Sequence, residues 1–189
     1  MRAFALGLCL LAAPAAADTL SEATGNWAGA SNQGFYFRAA LSFEGEAAQL
    51  KIWNDLGGIP AANSGVQFDN GKIMLMAYAT DGFPRLEVLD TGSGSILQVV
   101  NEFADEEYAG RSVVQIQYID NQFTVIGYYH RDLRYFDQKP YECEVDLRNG
   151  KVTVNGVTSD LPPMDFEAQN ASEWTYSAAF DRGYCPQDD

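Results

Sequence analysis

Three features of the chain predict an all-β fold. Apolar and polar residues alternate with period two over most of its length, Asn-Gly, Asp-Asn and other Gly-bearing turns interrupt that alternation, and no long segment carries a helical period. The turns are close enough together to read as consecutive hairpins, giving an antiparallel meander of about ten strands. An open sheet of that width would leave two unpaired edges and one uncovered face. Closure into a barrel is therefore expected, with folding into a sandwich as the alternative.

Taken in chain order, Phe35, Phe37, Ala39, Leu41 and Phe43 alternate with Tyr36, Arg38, Ala40 and Ser42 and run into a turn near Glu44-Gly45-Glu46. A second hairpin is expected at Asn70-Gly71, pairing Phe68 with Ile73 and Val66 with Leu75. Strands are predicted over Arg85 to Asp90 and Ile96 to Phe103, joined by a Gly/Ser loop from Thr91 to Ser95. Around Asp120-Asn121, Val114, Ile116 and Tyr118 face the same way as Gly127, Val125 and Phe123. At Asn149-Gly150 a type I′ turn would pair Leu147 with Val152, Val145 with Val154 and Cys143 with Gly156, apolar against apolar. A one-residue slip would turn that whole set to water, so the register is strongly specified. A Pro-bearing connection from Leu161 to Ser172, with room for a helical turn, leads to a last strand at Trp174 to Phe180.

Met1-Arg2, the apolar run Ala3 to Ala13 and Ala15-Ala16-Ala17 have the layout of a cleavable secretory signal spanning residues 1–17. Cys9 is preceded by Leu8, where a lipid acceptor wants a small residue. The expected mature chain, 18–189, is 172 residues long, the size of a single all-β domain. It carries 11 cations against 26 acids, a formal charge of −15. Such a surface repels nucleic acid and anionic lipid and suits a soluble periplasmic or secreted protein. No apolar run is long enough to span a bilayer. Loss of Cys9 would leave Cys143 and Cys185, an even pair expected to form a disulfide in an oxidising compartment.

Gly25-Asn26-Trp27-Ala28-Gly29, just ahead of the first strong strand, resembles the G-x-W start of lipocalin-like (calycin) β-barrels. Phe35 to Phe43, Gln49 to Trp53 and Gly57-Gly58-Ile59-Pro60 look like the first strands that follow it. The resemblance covers the N-terminal half. It implies that Trp27 is structural, plugging the closed end of a barrel whose interior takes the ligand. In the C-terminal half, Phe123 to Tyr128 with Glu144 to Leu147 and Asn149-Gly150-Lys151 resembles a stretch of exported bacterial β proteins of unknown role, which carries no activity over.

His130 is the sole histidine, which excludes two-histidine metal sites and leaves one base for any serine triad. Gly92-Ser93-Gly94-Ser95 does not match a nucleophile elbow, and no metal or cofactor is expected. Glu142 and Glu144 share a strand face about 7 Å apart, near the inverting range of glycoside hydrolases, but polar Thr153 and Asn155 opposite them imply a wet face. The densest mixture of cations and aromatics runs from Tyr128 to Tyr141, expected as a connection on a rigid scaffold, where binding residues concentrate. Tyr129, His130, Arg131, Arg134, Tyr135 and Phe136 are its candidate contacts, because tyrosine and arginine anchor interfaces. The expected function is a non-enzymatic binding module of the cell envelope, for a small apolar ligand or a partner protein. A carboxylate-dependent hydrolase of envelope glycans using Glu142 and Glu144, and a structural accessory protein, are the alternatives.

Overall fold

The computed structural model describes residues 19–29, 34–44, 47–74, 84–104, 108–134, 140–162 and 169–186. The proposed signal segment lies outside them. Eleven strands form two antiparallel sheets. The smaller sheet holds β1 (Thr19–Asn26), β2 (Tyr36–Glu44), β3 (Ala47–Asp55) and β4 (Phe68–Asn70) in sequence order. The larger is a continuous meander of β5 (Arg85–Thr91), β6 (Gly94–Ala104), β7 (Tyr108–Ile119), β8 (Gln122–Arg134), β9 (Pro140–Asp146), β10 (Lys151–Val154) and β11 (Val157–Asp160).

Of the two expected closures, the sandwich is the one adopted. Among the described residues no backbone ladder joins the two sheets; side chains bridge them instead. Leu86 N donates to Ser21 Oγ and Asn26 N donates to Ser95 Oγ, each at 3.0 Å, so β1 lies beside β5 and β6 without pairing to either. Inward residues of β2 and β3, with Phe37, Ala39, Leu41, Leu50 and Ile52 fully buried, pack into one core with Leu97, Val99, Ile116, Val125 and Val145. The interior is filled by rings: Trp27 stacks on Phe37 at 4.0 Å between centroids and meets Phe123 edge-on at 6.3 Å. Phe123 also packs on Phe68 at 4.9 Å and on Tyr118 at 5.0 Å.

The junction around Trp27 explains the glycines that flank it. Asn26 Oδ1 accepts from Ala28 N and Phe35 N, tying the chain into a knot that presents the indole inward. The indole Nε1 donates to Asn54 Oδ1 at 3.0 Å, so its one polar group is satisfied. Gly94 sits at φ +135° with the Trp27 carbonyl so close that a Cβ would meet its oxygen at 2.1 Å. At Gly25 a Cβ would meet the Phe37 ring at 2.5 Å.

Several local expectations are corrected. The Asp120-Asn121 turn forms with both residues at positive φ and pairs Tyr118 with Phe123 and Ile116 with Val125 as expected. Beyond it, Ile126 is an extra residue: Gln115 pairs with Gly127 and Val114 with Tyr128, so a β-bulge reverses the facing of everything that follows in β8. At Asn149-Gly150 the two-residue turn gives way to a four-residue loop, Leu147 to Gly150, and Val152 pairs with Val145. The cause is Asp146, whose carboxylate accepts from Arg148 N, Asn149 N and Asn149 Nδ2 and ends the ladder two residues early. The shift is even, so the apolar face survives it.

At Asn70-Gly71 the described residues 71–74 form no strand; Asn70 Oδ1 accepts from Lys72 N while its Nδ2 donates to the Ala171 and Trp174 carbonyls. Leu75, its expected partner strand, lies outside the described residues. A 3-10 turn (Ala171–Glu173) falls at the end of the connection expected to hold a helical turn, and the last expected strand, Trp174 to Phe180, is replaced in its second half by a short helix α1 (Ala178–Asp181). Trp174 is buried with extended backbone ahead of that helix and Ala178 and Ala179 bury its first turn, a change of backbone that the alternation of Trp174, Tyr176 and Ala178 concealed.

Cys143 and Cys185 form a disulfide, with Cα atoms 5.8 Å apart, that binds the C-terminal segment to β9. Replacing both by serine is expected to cost roughly 4 kcal/mol, the chain-entropy value for this separation, measured by urea unfolding. Gly94→Ala is expected to cost about 2 to 3 kcal/mol, because an alanine there meets both an unfavourable φ and the Trp27 carbonyl; an unchanged thermal midpoint would contradict the packing described.

Candidate functional site

The described candidate residues lie in a strand. β8 runs through Arg134, so Tyr129, His130 and Arg131 belong to the sheet. Arg134 ends the strand, its side chain outside the described residues, and Tyr135 and Phe136 lie outside them altogether. The bulge at Ile126 separates the group: Tyr129 and Arg131 face outward, away from the smaller sheet, while Tyr128 and His130 face inward.

On the outer face a charged row crosses four strands. Glu102 on β6 pairs with Arg111 on β7, Arg111 with Arg131 on β8, and Arg131 with Glu142 on β9. The signs run minus, plus, plus, minus. Arg111 bonds Glu102 at 3.1 Å, and Arg85 reaches the same carboxylate at 3.8 Å. Glu142 accepts the Tyr129 hydroxyl at 2.7 Å. Burial, then the bond to Glu142 and its charge, raise the Tyr129 pKa, against the lowering pull of Arg131 and Arg111. Arg131 is exposed and forms no ion pair among the described residues. Like charges at opposed register positions repel, and Glu102 offsets only the Arg111 member of this pair. Arg111 and Glu102 are the site residues that sequence reasoning missed: counting from the Asp120-Asn121 turn without the bulge sets Arg111 opposite His130.

His130 is not an exposed loop residue. Its ring lies edge-on to Phe180 at 5.0 Å, stacked parallel to Tyr128 at 6.4 Å and tilted to Tyr141 at 6.1 Å. Burial lowers its pKa below 6.5, with Asp132 opposing. Burial raises that of Tyr128, with Tyr141 adding to the shift. Across β7, Ser112 is the register partner of His130, with Asn101 beyond it on β6. Glu142 and Glu144 stand exposed on the outer face, without the desolvation that a catalytic acid needs. Trp27 is buried in the core as described, and the disulfide lies behind β9. Among the described residues no three His, Cys, Asp or Glu side chains could hold a metal ion, and no helix is long and apolar enough to cross a membrane.

Comparison with known proteins returns no matching family model, no matching curated protein and no matching solved structure.

The lowered His130 pKa makes stability depend on pH. Below pH 6.5 the unfolded histidine binds its proton while the folded one resists it, so the unfolded state takes up more protons. Stability is expected to fall as pH drops through 6.5 toward the depressed folded value, then to lose this contribution to the slope. In urea titrations across this interval His130→Gln should show a shallower decline than the wild type; parallel curves would contradict the burial of a neutral imidazole.

Proposed function

We propose that the chain is an exported, non-enzymatic binding module, acting in the periplasm or outside the cell, that engages a partner protein through the outer face of β7 to β9. Arg111, Tyr129 and Arg131 are its centre. The observation that carries this reading is the Arg111–Arg131 register pair, two like charges placed opposite each other in a chain of net charge −14. Holding them there costs stability, and a shared carboxylate or phosphate on a partner would recover it. The surrounding acidity opposes an extended acidic surface, so the reading calls for one anionic group on a partner otherwise neutral or basic. Tyr129, fixed by Glu142, adds a ring with a polar end at the rim.

The filled interior argues against the other expected ligand, a small apolar molecule inside a lipocalin-like barrel. Phe37 and Leu41 are fully buried and Phe123 nearly so, its ring packed on Phe68 and Tyr118. The disulfide is compatible with an oxidising compartment.

The test is the double variant Arg111→Ala/Arg131→Ala in copurification from envelope extracts at low and moderate salt. Loss of a partner retained by the wild type, with the thermal midpoint within about 3 °C, is the expected result. Equal retention by the folded variant would remove the proposal.

A further inference from the structure

The junction that seats Trp27 also borders an open groove of about 430 Å³ on the other side of the molecule's seam, where the end of β1 meets the β5–β6 turn. It is independent of the arginine face. Its floor is backbone: Gly25, Gly29 and Gly94 offer no side chains. Its polar wall comes from Asp90, Thr91, Ser95 and Thr24, and its apolar wall from Tyr36 and Ile59, the latter 55% exposed.

The carboxylate in this wall is oriented before any ligand arrives. Ser95, 3% exposed, donates to Asp90 Oδ1 at 2.8 Å and accepts from Asn26 N at 3.0 Å. Asp90 Oδ2 is left without a partner among the described residues. A held acceptor costs little conformational entropy on binding. The same turn is tightened by Thr91, whose hydroxyl donates to the Gly94 carbonyl.

The chemistry of the walls narrows the occupant. Among the described residues no Lys, Arg or His lines the groove, and Asp90 would repel an anion. One carboxylate is too few oxygens of the right kind for a calcium or magnesium site. A wholly apolar molecule would desolvate Asp90 and Thr24 without replacing their hydrogen bonds to water. A neutral, hydroxyl-rich ring meets each requirement: paired hydroxyls to Asp90 Oδ2 and Thr24, one ring face on the glycine backbone, and its C–H groups against Tyr36 and Ile59. The volume suits one or two such rings. We propose that this groove is a binding site for a neutral saccharide, with Asp90 as its principal hydrogen-bond acceptor and Tyr36 as its apolar platform.

The proposal is tested by titrating the protein with cellobiose, maltose, chitobiose and glucuronate, following amide resonances by NMR. Expected are saturable shifts at Gly25, Gly94 and Ser95 with at least one neutral disaccharide, and binding of glucuronate at least about tenfold weaker than that sugar, since the acid lacks a cation to meet it. Asp90→Ala should weaken neutral binding by about tenfold or more. Tyr36→Ala, which leaves the Ser95–Asp90 bond in place, should weaken it too. Arg131→Ala should leave it unchanged, so failure here and failure of the partner-binding reading are separable. No saturable shift with any neutral sugar, glucuronate binding as tightly as the neutral probes, or unaltered affinity in folded Asp90→Ala would overturn it.

Discussion

The structure depends on the seating of one indole between two sheets that share no backbone ladder among the described residues. Trp27 stacks on Phe37 from its own sheet and meets Phe123 from the other, while its carbonyl rests on Gly94 at the start of β6. An aromatic pair of this kind contributes about 1 kcal/mol beyond the area it buries. More consequential is its position, since the same residue fixes the spacing of the sheets in the core and the approach of β1 to the β5–β6 turn at the surface. Leu86 N to Ser21 Oγ and Asn26 N to Ser95 Oγ then satisfy donors along an edge that would otherwise face another strand.

Both candidate surfaces follow from that arrangement. Ser95 bonds to β1 and to Asp90 at once, so the contact that joins the sheets also orients a carboxylate. The larger sheet, covered on its inner side by the smaller one, is free to carry a ladder of charges on its outer side. The row Glu102, Arg111, Arg131, Glu142 is geometrically simple, one residue from each of four adjacent strands. Its order of signs is what makes it chemically unusual.

Much of the fold was legible in the chain because alternation and turn chemistry agreed. The β2 strand faces, the hairpin near residues 45–46 and the Asp120-Asn121 turn came out as the pattern implies, and so did the pairing of Cys143 with Cys185. What was hidden has physical causes. β1 mixes Thr, Ser, Glu and Gly and gains its place from partners distant in sequence, so it shows no apolar stripe. The loop at Leu147 to Gly150 was decided by an Asp146 side chain that competes with the ladder for backbone donors. The site was legible in composition but not in geometry: tyrosine and arginine stood out near residue 130, whereas their facing, and the part played by Arg111, hung on a single unpaired residue.

That residue, Ile126, acts as a parity switch. Its carbonyl accepts from Leu147 N and its side chain is buried, so the irregularity is anchored on both counts. Every position after it in β8 looks the opposite way from where strict alternation would aim it. Insertion or loss of one amino acid at this point would exchange the two populations of side chains wholesale, sending arginine toward the hydrocarbon interior and imidazole toward water. A strand so built can acquire a new exterior in one genetic step, without altering any of the residues that compose it.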